Sequence, residues 1–392
     1  MINNFTLQVA TTYIFGSDAE ESIGKKLADS GYTTALVHYE DKSHAINSGL
    51  LDKVIANLHR EGLKVIRHGG VVPNPRLHVV ENGIALAKSN HVDVIIAIGG
   101  GSVIDSSKAI ALGAANTEPV WDYFQEKLAP EKTLPVAVVL TNPSSGSEAS
   151  QVSVITNRKT GEKLTLSNPL LRPAFAFMNP ELSTTVPLYA TACGIVDMFS
   201  HICERYFTPS HDFGFVDYLA EGALRAIVQY GELLVQHPRN VTFRSEMMWA
   251  STMAQNNILC VGREEDWSTH IIANEISAKY DVAHGATLSI IMCSWMRYVY
   301  ESNPRRFARF AREVFGVRDE TMDFAEQAKQ GIEATRAFFQ RLGMPTSFHD
   351  ADIPTGGVED MLNKIHFGPH HTIGSVQPLN REDCAHIFEA SF

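Results

Sequence analysis

The sequence predicts an α/β N-terminal domain built on a parallel sheet, residues 1–185, followed by an all-α C-terminal domain, residues 186–392. Three observations carry this reading. Short β-branched runs alternate with amphipathic stretches from residue 33 to about 141, one such run ends in three glycines and a serine, and no strand pattern returns after Pro187.

In chain order, TTALVHY (33–39) predicts a strand, INSGLLDKVIANLHREG (46–62) an amphipathic helix, LKVIRHGG (63–70) a strand and LHVVENGIALAKSN (77–90) another helix. VDVIIAIGG (92–100) reads as a buried strand, the third of the series, SSKAIALGAA (106–115) as a helix and LPVAVVLT (134–141) as the next strand. Each strand–helix–strand step favours a parallel neighbour, so helices are expected on both faces, as in nucleotide-binding domains. QVSVITN (151–157) and AFAFMN (174–179) are two further β-like pieces. From about 189 to 342 the apolar spacing is helical, with Gly343 and Pro345 as punctuation.

Composition narrows the function class. At 392 residues and 44% hydrophobic content the chain is long enough for two cores. A formal charge of −11 leaves no basic surplus for nucleic acid or an anionic membrane. Cys193, Cys203, Cys260, Cys293 and Cys384 are scattered without CxxC spacing, which reads as reduced thiols in a cytoplasmic protein. Neither an export signal nor an apolar run long enough to span a bilayer is expected.

Candidate chemistry falls in both halves. Asp197 and His201 in GIVDMFSHICERY are spaced i, i+4, so a helix there points both off one face. His270 in DWSTH and His284 in YDVAHG can close a shell around the same cation from later helices. A lone histidine among 16 is ordinarily a surface or satisfied core residue, and the Asp/His pair is what lifts the site above that. Three imidazoles with one carboxylate suit iron or zinc better than calcium or magnesium. In the first half, Gly99, Gly100 and Gly101 let the backbone approach an anion, and Ser102 can cap the helix that follows. Alone, such a loop is more often a tight strand–helix turn. Thr141, Ser145, Gly146 and Ser147 in TNPSSGSEAS could donate to a cofactor lying across the strand ends. Glu40 and Asp41, after the first strand, can bond the ribose hydroxyls of NAD and repel the 2′-phosphate of NADP; a solvated acidic loop fits their spacing equally well. Lys163 adds a cation that, taken singly, reads as a surface lysine.

Together these segments resemble the iron-containing (group III) alcohol dehydrogenase family, in particular its butanol dehydrogenase and broad-specificity aldehyde reductase branch. The match covers nearly the whole chain: VVPNP (71–75), AIGGGSVIDSSK (97–108), TGEK (160–163), GIVDMFSHICERY (194–206), DWSTH (266–270) and YDVAHG (280–285). The resemblance implies an N-terminal dinucleotide-binding domain and a helical metal-binding domain. It implies that Asp197, His201, His270 and His284 hold one divalent metal, Fe(II) or Zn(II), and that Gly100, Gly101, Ser102, Thr141 and Ser145 hold the dinucleotide. Asp105 and Lys163 match motif positions near the cofactor, and a homodimer is the family expectation.

Three departures stand out. Many members carry a second histidine one turn after the third ligand, thought to help pass a proton, where this chain has Asn274. The NADP-using reductases resemble YGGGS at the first strand end, where this chain has YEDKS; Glu40 and Asp41 favour NAD, while Lys42 and Ser43 leave NADP open. Asn142-Pro143 replaces the more usual small-residue turn. The expected reaction is hydride transfer between NAD(P) and a primary alcohol or aldehyde, with the metal polarising the substrate oxygen. Two rivals remain. A dehydroquinate-synthase-like lyase would need several basic residues near the site, where DWSTH and YDVAHG offer only Lys279; a non-catalytic nucleotide- and metal-binding protein is suggested by Asn274.

Overall fold

The structure, a computed structural model, describes residues 3–42, 44–319 and 321–392. It divides into two compact units, one of Gln8–Val186 with Arg239–Asn256, the other of the N-terminal residues to Leu7, Pro187–Pro238 and Asn257–Phe392.

The first unit is an α/β layer structure. Six strands form one sheet: β1 (Thr12–Phe15), β2 (Thr34–Tyr39), β3 (Lys64–His68), β4 (Val94–Gly100), β5 (Val136–Asn142) and, after the antiparallel hairpin of β6 (Val152–Asn157) and β7 (Glu162–Ser167), β8 (Phe175–Met178). Every pairing in the sheet is parallel, in the order β1-β8-β5-β4-β2-β3. Between strands run α1 (Ile23–Asp29), α2 (His44–Asn47), α3 (Leu50–Arg60), α4 (Leu77–Ser89), α5 (Gly101–Ala115) and α6 (Val120–Phe124). Side-chain alternation sorts the core into two layers. Leu36, Ile95, Ala97 and Val138 meet Val80 of α4 and Ile104 and Ile110 of α5, whereas Ala35, Val37, Ile96, Ile98 and Val139 meet Leu27 of α1 and Val54 and Leu58 of α3. From β2 the chain steps outward to β3, then returns to β4 on the other side of β2. The reversal opens a switch point at the carboxyl ends of β2 and β4, where sheets of this class take their ligands.

Two details differ from the expectation. The pattern passes over β1, a four-residue edge strand, and β7, so the glycine loop follows the fourth strand in chain order. The helix expected over 46–62 is broken, because Gly49 adopts a left-handed φ of 76° that separates α2 from α3.

The second unit holds α7 (Leu188–Tyr206) and α8 (Phe215–Gln236) and, beyond α9 (Val241–Gln255), which packs in the α/β unit, α10 (Ser268–Tyr280), α11 (His284–Val299), α12 (Pro304–Phe315), α13 (Phe324–Arg341), α14 (Val358–Leu362) and α15 (Arg381–Glu389). α7 is its axis, buried from Thr191 to Tyr206, polar residues such as Asp197, His201 and Glu204 included. Phe199 packs against Phe310, Phe338 and Phe339. No helix among the described residues is long and apolar enough to cross a membrane.

Candidate metal centre and dinucleotide site

Asp197 and His201 lie one turn apart on α7, with His201 Nε2 3.6 Å from Asp197 Oδ1. His270, in the first turn of α10, brings its Nε2 to 3.9 Å from the same oxygen. Ligand atoms of these three buried residues lie within 4.8 Å of one another. The two imidazoles stack with centroids 4.6 Å apart. Burial, then the neighbouring His270 charge, holds His201 well below the ordinary histidine range, so it offers the neutral lone pair that a metal requires. His284 opens α11, its ring 5.4 Å from that of His270; it stands beside the three-residue cluster rather than within it. Gly285 lets this turn approach α7, since a Cβ there would strike the Cys193 backbone.

Glu204, which the sequence reading did not single out, organises the cluster. Its Oε1 accepts the His270 backbone N–H at 3.0 Å and Nδ1–H at 2.9 Å, and its Oε2 accepts the Trp267 N–H at 3.0 Å. One carboxylate from α7 thus satisfies open amides at the start of α10 and fixes the tautomer that turns His270 Nε2 toward Asp197. Burial pushes Glu204 up to about 8 against the pull of those backbone donors. Asp266 completes the support: it accepts from Ser268, Ser375 and Val376 N–H groups at 3.0, 2.7 and 2.8 Å.

In the α/β unit, β4 runs into α5 through a register shift between Gly99 and Gly100. Ser102 is not the helix cap. Gly100 holds the cap position without a side-chain hydrogen bond and Gly101 is the first helical residue, so the cap lies two residues earlier than expected and no side chain from it covers the first amides of α5. The glycines serve close packing: a Cβ on Gly101 would meet Ser145 Oγ, and one on Gly100 would lie 3.0 Å from Asn142 Cβ. Thr141 lies near the end of β5, and the turn that follows, carrying Ser145, therefore closes onto the start of α5. Glu40 follows β2, its carboxyl raised by burial and then by Asp41, and the Asp41 carboxylate lies where a side chain on Gly69 would be. Ser43 lies outside the described residues. Asp105 is turned inward, accepting from Ser147 Oγ at 2.5 Å and Val154 N–H at 3.0 Å. Burial raises the Asp105 carboxyl, opposed by Lys108, by its two hydrogen bonds and, last among these, by Lys163 of β7. Asn274 lies one turn beyond His270 on α10.

Residues 10–180 match the model of the iron-containing alcohol dehydrogenases, and residues 191–392 match the C-terminal model of the Fe-containing alcohol dehydrogenase family. The chain belongs to the iron-containing alcohol dehydrogenase family. It is 36% identical over 390 residues to a probable NADH-dependent butanol dehydrogenase of Bacillus subtilis, covering 100% of both chains. It is 30% identical over 393 residues to an NADPH-dependent aldehyde reductase of Escherichia coli, again covering 100% of both. The crystal structure of an NADH-dependent butanol dehydrogenase A from Thermotoga maritima matches with a TM-score of 0.95 and 35% identity, covering 100% of this chain and 99% of that one. For a member of an iron-containing alcohol dehydrogenase family, the donor set fits the metal. A carboxylate and two stacked imidazoles, one oriented by the Glu204 side chain behind it, are what a divalent transition ion takes.

Proposed function

We propose that this chain interconverts a primary alcohol and its aldehyde by reversible hydride transfer with NAD(P), using a divalent metal held by Asp197, His201, His270 and His284. The observation that carries the proposal is the convergence of Asp197, His201 and His270 within 4.8 Å in a chain of this family. Bound there, Fe(II) or Zn(II) supplies a Lewis acid for the substrate oxygen while the nicotinamide carries the hydride. The residues of the chain do the positioning. Glu204 orients His270; Gly99, Gly100, Gly101 and Ser102 present the first amides of α5 to a pyrophosphate, flanked by Thr141 and Ser145. Lys163 contributes a cation on this side, and Asp105 anchors the adjoining turn. Asn274 can hydrogen-bond but does not titrate near neutral pH, so the proton leaves through water or ribose hydroxyls. Held by these four residues, an ion that accepts five or six ligands, as iron(II) does, would still be able to take the substrate oxygen.

Glu40 and Asp41 favour NAD. Like charges beside a 2′-phosphate cost about 1.4 kcal/mol, about tenfold in affinity, and the butanol dehydrogenase relatives are named for NADH. The NADPH-dependent relative keeps NADP open. We read the protein as a cytoplasmic homodimer in which residues 1–185 serve the dinucleotide and 186–392 the metal. Purified protein reconstituted with iron(II), zinc or manganese and offered short aldehydes and diols with NADH and NADPH tests this. Metal-dependent turnover with NADH preferred is expected. A stoichiometric burst without turnover, whatever the metal, would favour a non-catalytic binder.

A further inference from the structure

The motif GGGSVIDSSK does more than open a helix. Past the glycines, Asp105 and Lys108 reach from inside α5 to the segment that follows Ser145. Lys108 is fully buried, and its ammonium donates to Ser147 Oγ at 2.8 Å, to the Ser150 carbonyl at 3.0 Å and to the Val152 carbonyl at 2.7 Å. Ser147 Oγ donates in turn to one oxygen of Asp105, whose other oxygen accepts the Val154 N–H. On the far side of the turn, Gly146 N–H donates to Ser251 Oγ at 3.1 Å and Thr252 Oγ1 to the buried Glu148 at 2.7 Å, both partners coming from α9.

Burying an ammonium is expensive, and an apolar side chain of similar volume fills space without that cost. What the ammonium does, and methionine cannot, is bind several acceptors of one turn at once. That turn begins with Ser145, whose hydroxyl rests against the first residue of α5.

We propose that Lys108 is a positioning residue for the dinucleotide: from within α5 it holds the turn 145–152 so that Ser145 stays beside the phosphate-binding end of the same helix. The proposal rests on the reading of the glycine loop as the phosphate site. Losing the ammonium takes this donor from the Ser147 hydroxyl and the Ser150 carbonyl and leaves the Val152 carbonyl only the longer bond from Ser150 Oγ at 3.5 Å, so the turn spreads over several conformations and the cofactor must select one of them.

The test uses the full-length, metal-reconstituted protein, with NADH as probe. In Lys108→Met, the NADH dissociation constant by fluorescence titration and the KM for NADH should both rise about tenfold, the equivalent of one to two lost hydrogen bonds. The kcat at saturating NADH should change little. Ile110→Ala, a cavity in the same helix, is the control for a merely structural effect: it should lower the thermal midpoint without moving the KM. Unchanged NADH affinity in folded Lys108→Met overturns the proposal, as does an equal rise in KM in Ile110→Ala. If Lys108→Met does not fold, Ser147→Ala removes one acceptor and should raise the KM several-fold; no change there also overturns it. Wild-type protein that binds no NADH would overturn the phosphate-site reading, and this proposal with it.

Discussion

At Glu204 a single carboxylate both closes the start of α10 and aims His270, so its loss should reach the metal before it reaches the fold. Glu204→Gln keeps one oxygen acceptor but turns the other into an amide donor, so it cannot face both the Trp267 N–H and the His270 N–H groups, and His270 loses its fixed orientation. Metal affinity, read by competition with a chromophoric chelator, should fall about 10–100-fold; an affinity equal to wild type would remove Glu204 from the site. Asn274 permits a sharper kinetic test. Asn274→His adds a titratable group one turn from His270, and alcohol oxidation should accelerate most between roughly pH 6 and 8, where imidazole changes charge. Aldehyde binding should be nearly unchanged. A pH–rate profile of the same shape in both proteins would refute the relay reading.

On β2, His38 is fully buried, stacks on His68 at 4.7 Å and donates from Nδ1 to the His68 carbonyl at 2.7 Å. Burial, then the charge of His68, lowers it from 6.5 to about 3. The unfolded chain takes a proton there below pH 6.5 that the folded chain refuses until about pH 3, so this contribution to stability is complete above 6.5 and drains away as pH falls through that window. Urea unfolding of wild type and His38→Phe should differ in slope by about 1.36 kcal/mol per pH unit, one proton, inside the window; parallel curves would refute it. Elements of this kind were legible in the sequence because β2, β4 and β5 are buried β-branched runs. β1 was not legible, being four residues at a sheet edge with half its side chains exposed, and neither was β7, with one buried position in six. The ligands on α7 could be found because Asp197 and His201 are a helical turn apart. Glu204 could not, because its role exists only when α10, 66 residues later, comes to lie against it.

For the molecule as a whole, an ion that binds only the folded state adds stability by mass action, about 2.7 kcal/mol at a hundredfold excess over its dissociation constant. A chelator should therefore lower the thermal midpoint of the metal-loaded wild type and leave that of His270→Ala where it was. A wild-type midpoint indifferent to chelation would argue against a metal bound at the α7–α10 cluster. The two units are also interleaved along the chain, since α9 belongs with the sheet although α7 and α8, made before it, belong to the helical unit. Met248 of α9 is fully buried in the core of the sheet. On the ribosome this sets an order of events. The α/β unit cannot complete its core when residue 186 emerges; it must wait for residue 256, about 70 residues later, roughly 4–14 s at 5–20 residues per second. Through that interval the nascent sheet face awaiting α9 is open, and it is there that a chaperone working during synthesis would find its apolar substrate.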